Sequence, residues 1–198
     1  MSEAQKRLNW VRRLTTQQPS QEDQRYVDEL VALQLRKLLE LIAFGTLCAN
    51  KQKYSEVYEN FRSHWRAGKL LTNLERVHPD FYPTPLAGYE QNETTGLLKL
   101  ISRTEGFLTR GDFEPLYDRC SALIHTRNPF TEEHETTAGT FRALSSTSVE
   151  RIDALLRAHT MRLAGGQERW IVLIKSDGTV GAHICIPPPT SPVSDVSQ

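Results

Sequence analysis

Apolar side chains along this chain recur at helical spacing for most of its length and at strand spacing only near the C-terminal end. Leu8, Val11 and Leu14 share one stripe of a short amphipathic helix over residues 2–15, with Trp10 beside it. Pro19 and its polar neighbours break that helix. Ser20 then supplies an N-cap, and Glu22 and Asp23 put negative charge at the positive end of the helix dipole. Val27, Leu30, Val31, Leu35, Leu38, Leu39 and Ile42 predict one long helix reaching about Asn50. Leu33, Leu41 and Phe44 widen its stripe enough for packing on more than one side.

Helical spacing resumes over 51–76 through Tyr54, Val57, Tyr58, Phe61, Trp65, Leu70, Leu71 and Leu74, with Gly68 placed to divide or bend it. Pro79, Pro83 and Pro85 push their preceding residues away from helical angles, so 78–93 reads as a loop. A short helix or strand is expected over 96–102. With Asp112 as N-cap, Pro115 falls in the first turn of the next helix, whose buried face is Phe113, Leu116, Cys120, Leu123 and Ile124 and which Asn128-Pro129 ends. Thr147 and Glu150 read as a capping box for a final helix carrying Val149, Ile152, Leu155, Leu156 and Leu163, stopped by Gly165-Gly166. From Arg169 the period falls to two. Two alternating runs flank Asp177-Gly178, the turn chemistry of a β-hairpin.

The pattern therefore predicts a mainly α protein. A helical bundle over 1–166 is followed by a packed C-terminal antiparallel β-hairpin over 167–187 and a disordered tail over 188–198. The 198 residues, 38% hydrophobic and 24% charged, fit one domain with a sizeable core. Equal numbers of acidic and basic residues argue against nonspecific coating of nucleic acid but leave room for a local basic groove. Cys48, Cys120 and Cys185 are odd in number and widely spaced, with no disulfide or CxxC pattern, and read as buried reduced thiols. Charges interrupt the start of the chain every few residues, and no apolar run reaches the ~18 residues that span a bilayer. The expectation is a cytoplasmic protein with no membrane contact.

Candidate chemistry concentrates in the segment 117–130. Arg119 precedes His125 by six residues near a helix end, an offset of about 120° around the axis. Glu114, Asp118, Ser121 and His125 fall on one stripe. That stripe suits a solvated face or an interface. Equally, His125 suits a C-terminal cap, and Arg119 an ion pair with Asp118 or Glu114.

The arrangement of Arg119, five intervening residues and His125, late in a helical domain, resembles the signature of the HEPN (higher eukaryotes and prokaryotes nucleotide-binding) superfamily. The stretches LQLRKLLELIAF, HWRAGKLLTNLERVHPDFYPTPL and CSALIHTRNPF are similar to bacterial members, so the likeness covers about 20–130 and leaves the hairpin outside. Many members carry a polar residue directly after the arginine; here it is Cys120. The resemblance implies a homodimer whose paired Arg119 and His125 side chains face one cleft and cleave RNA without a metal or other cofactor. His125 would move protons and Arg119 would hold the phosphate. Arg127, Asn128, Ser121 and Asp118 are the candidate substrate-binding residues. The resemblance further implies a defence or toxin role, with an antitoxin or other partner protein. The competing expectation is a non-catalytic dimerisation, nucleotide-binding or RNA-binding protein.

Other candidates have plainer explanations. Arg62, His64, Arg66 and Lys69 read as a solvated helix face. His64, His78 and the acidic surroundings of His134 lack a closed set of metal ligands. His159 reads as a boundary histidine of the last helix, His183 as a strand residue, and Ser145, Ser146 and Ser148 as capping residues.

Overall fold

The computed structural model describes residues 2–59, 66–125, 138–163, 168–175 and 177–185. Two helices begin where serines stand ready to cap them. In α1 (Glu3–Thr16) the Ser2 side chain accepts from Gln5, and Leu8, Val11 and Leu14 turn inward. In α2 (Gln21–Ala49) Ser20 accepts from the Asp23 amide, and the helix runs to Asn50. As its wide apolar stripe predicts, α2 touches α1, α3 (Lys51–Val57), α4 (Ala67–Val77), α5 (Arg110–Ile124) and α6 (Ala138–Arg157). Val31, Leu35, Leu38, Leu39 and Ile42 form the spine of the core, joined by Tyr54, Leu70, Leu74, Phe113, Phe141 and Ile152. No helix among the described residues is long and apolar enough to cross a membrane.

The expectation of a mainly α bundle with one hairpin is overturned. Beside the helices lies a five-stranded antiparallel sheet of order β2-β1-β3-β4-β5, so the fold is mixed α/β. Its strands are β1 (Thr84–Gln91), β2 (Leu98–Ser102), β3 (Ala158–Arg162), β4 (Arg169–Ile174) and β5 (Val180–Cys185). The expected loop over 78–93 contains β1. Its Pro85 stands near the strand's start and turns its carbonyl to the Arg103 amide just beyond β2, so the missing N–H falls where the β1–β2 ladder runs out. The expected final helix stops at Arg157, and the chain passes into β3 without a glycine or proline to mark the change. The hairpin is present, with Gly178 at φ 79°, but β4 pairs with β3 over five residues, making it the continuation of a sheet.

Local starts also differ. Thr109 caps α5, exchanging bonds with Asp112 in a capping box, which leaves Pro115 inside the helix. Thr147 lies in mid-helix and bonds back to the Ala143 carbonyl at 3.1 Å, because α6 begins upstream at Ala138. Cys120 is buried as expected, whereas Cys48 is exposed and Cys185 half-buried. Gly165-Gly166, Asn128-Pro129 and the expected tail over 188–198 lie outside the described residues.

Candidate functional site

The N-terminal end of α5 is fastened to α6. Arg151 donates to the Phe107 carbonyl at 3.1 Å and bonds Asp112, while the Leu108 amide reaches the Arg151 carbonyl at 2.9 Å. Partial burial works against the Asp112 carboxylate, but bonds from Thr109 and Arg151 prevail and hold it below the usual range. Along the inner face, Phe113, Leu116, Tyr117 and Cys120 are buried. The Arg36 guanidinium lies over the Tyr117 ring at 4.9 Å. These contacts fix the helix and so the residues at its other end.

Of the six predicted site residues, four lie in the described structure. Asp118, Arg119 and His125 are exposed, and among the described residues none of their side chains has a hydrogen-bonded or ionic partner. Ser121 is half-buried and spends its hydroxyl on the Tyr117 carbonyl at 2.7 Å. His125 caps α5 through its main chain, its amide reaching the Ser121 carbonyl at 3.2 Å. Arg127 and Asn128 lie outside the described residues. Arg119 pairs with neither Asp118 nor Glu114. Glu114 faces Arg110 at 3.7 Å and Thr72 at 3.3 Å, and a Cβ at Gly68 would stand 3.1 Å from its carboxylate. The predicted polar stripe thus begins beside α4, where Glu114 is partly covered, and is fully exposed at Asp118 and His125.

The histidines read as structural are mostly so. His159 belongs to β3, not to a helix; it is buried and its Nδ1 lies 3.2 Å from the Leu156 carbonyl. Burial lowers its proton affinity against that bond. His78 is held at 3.0 Å from Asn50 Oδ1, and burial likewise lowers its affinity. Among the described residues no three His, Cys, Asp or Glu side chains gather as metal ligands would. Arg66 and Lys69 are exposed at the start of α4, while Arg62, His64 and His134 lie outside the described residues.

A second set of residues escaped the sequence. On one face of the sheet, Arg162 stands opposite Arg169, Thr160 opposite Ile171, and Ile171 opposite His183. Read as helix, 158–163 scatters these side chains around an axis. Read at a period of two, Ala158, Thr160 and Arg162 share a face. Arg162 bonds Asp80 at 3.0 Å, whereas among the described residues no carboxylate pairs with Arg169 or with nearby Arg103.

Compared with protein-family models, curated proteins and solved structures, the chain finds no match in any of the three.

Proposed function

We propose that the chain is a HEPN-like protein that cleaves RNA as a homodimer, through Arg119 and His125 at the end of α5. The observation that carries this reading is that both side chains are exposed, and without a partner among the described residues, on a helix fastened by its buried face and its bond to α6. Arg7, Arg12, Arg36, Arg110 and Arg151 are among the described arginines spent in ion pairs; Arg119 is not.

The geometry of one copy favours a dimer. Six residues of α-helix separate the two groups by about 9 Å in height and about 120° around the axis, so one helix end does not bring both to one phosphate. Two such ends meeting about a twofold axis would supply a complete set. In the proposed reaction, His125 takes the proton of a ribose 2′-hydroxyl as that oxygen attacks phosphorus. The bond to the 5′-oxygen breaks, and the partner's His125 returns a proton to it, leaving a 2′,3′-cyclic phosphate. Arg119 holds the charge that builds on the phosphoryl oxygens.

One observation favours the non-catalytic alternative. Cys120 follows Arg119 where many HEPN members have a polar residue, and it is fully buried, with burial pushing its thiol up to about 12. It serves the core and offers nothing to a ligand. Incubation with labelled RNA in chelator separates the readings. Cleavage by the wild type that is lost in His125→Ala and Arg119→Ala is expected. Absence of cleavage removes the enzyme and leaves the binding protein, and cleavage that survives both changes removes the Arg119 and His125 mechanism.

A further inference from the structure

The sheet departs from a flat surface between Leu86 and Gly88, where a bulge at Ala87 shifts the β1–β2 register. Beyond it β1 no longer follows β3, with which it pairs only at Thr84 and Pro85. The β1–β2 arm and the open face of β3, β4 and β5 border one groove of about 1520 Å³. The cross-strand pair Tyr89 and Leu100 lines the arm side, and Ile171 and Leu173 with His183 line the sheet side. Ile101, on the opposite face of β2, does not border it. Tyr89, Leu97 and Leu98 line the groove and are exposed, Tyr89 at 67%. So many large apolar side chains around one concavity mark a contact surface.

Charge narrows the occupant. Arg162 and Arg169 sit directly opposite one another, an arrangement that repels across strands. They line both the groove and an adjoining pocket of about 360 Å³ that also holds Arg103. The pocket lining places Asp80 as the single carboxylate against these three guanidinium groups. This local excess stands in a chain of zero net formal charge. A multiply anionic ligand would relieve it. An acidic peptide could supply charge, but Tyr89 and His183 put an exposed aromatic ring on each side of the groove, beside the arginines. Aromatic rings beside an excess of cations are how unpaired bases and their phosphates are held.

We infer that this groove binds a single strand of nucleic acid, with phosphates at Arg103, Arg162 and Arg169 and bases against Tyr89, His183 and the apolar floor. The inference goes beyond the proposed chemistry at α5 and does not depend on cleavage.

The test is fluorescence anisotropy of the full chain with short labelled oligouridylate and oligoadenylate at low salt. Arg169→Glu and Tyr89→Ala change exposed side chains, and circular dichroism checks that both fold. Each is expected to weaken binding by about tenfold or more, and Arg169→Glu should also flatten the salt dependence. A duplex of the same length should bind more weakly, because its bases are hidden. Wild-type affinity in both variants, no binding at low salt, or equal affinity for duplex or a free mononucleotide would overturn the inference. So would displacement of the oligonucleotide by an acidic, leucine-rich peptide. Cleavage is read separately: a chain that binds through the groove without cutting loses only the α5 chemistry, and one that cuts while both variants bind normally loses only the groove.

Discussion

His159 shows how much one side chain can carry without being catalytic. It is 6% exposed, sits at the junction where β3 meets β1, and gives its ring to the Leu156 carbonyl at the end of α6. Burial opposes its protonation in the folded chain, while an unfolded histidine titrates near 6.5. Above that pH both states are neutral. As pH falls below it the unfolded chain gains a proton that the folded chain refuses, so stability drops by up to about 1.4 kcal/mol per pH unit until the folded histidine titrates. His78 adds a contribution of the same sign. His159→Gln keeps a donor for Leu156 and removes the titration. Urea unfolding of this variant should therefore show a shallower loss of stability between pH 6.5 and 5 than the wild type; equal slopes would assign the loss elsewhere.

At the scale of elements, a guanidinium of α1 reaches into α6. Arg12 reaches Glu150 at 2.8 Å and Asp153 at 3.0 Å, and those bonds outweigh the cost of its partial burial, raising its proton affinity further. Asp153 is only 8% exposed in its side chain and also bonds Arg157. Arg12→Ala leaves that carboxylate with one cation, and it should cost about 2 kcal/mol in urea unfolding. Glu150→Ala, which removes an exposed partner, should cost well under 1 kcal/mol. How legible each element was follows from how local its cause is. Ser20 and its following acids announce α2 within four residues, and Asp177-Gly178 announces its turn. By contrast, β1 hides behind Pro83 and Pro85, and β3 continues a helical stripe into a strand whose partners Ile171 and Trp170 are unrelated in local sequence. Its identity is set by pairing, which periodicity does not see. The placement of the α5 candidates was legible, since Asp118, Arg119 and His125 are where helical spacing put them. The arginine cluster was not, because it exists only once three strands are aligned.

Across the whole molecule, the three cysteines sample three depths of the same structure. Cys48 is exposed on α2, Cys185 is half-buried on β5, and Cys120 lies in the core with its thiol pushed up to about 12 by burial. A thiol reagent applied to the native chain should modify Cys48 first and Cys120 last, the latter only as fast as the core opens. Peptide mass mapping over time checks the order. Early modification of Cys120 would mean that α5 detaches from α2 without global unfolding.

The passage from α6 directly into β3 also dictates an order of assembly during synthesis. The β1–β2 arm leaves the ribosome early, yet Thr84 and Pro85 must wait for Thr160 and His159, which emerge only after α5 and α6. Until then one edge of β1 offers unpaired backbone groups to any neighbouring chain. The strand that covers this edge is therefore made only after α6, and a nascent chain stalled after α5 would be a sticky half-product. For this protein, the rate at which the ribosome delivers α6 and β3 sets how long that edge stays open.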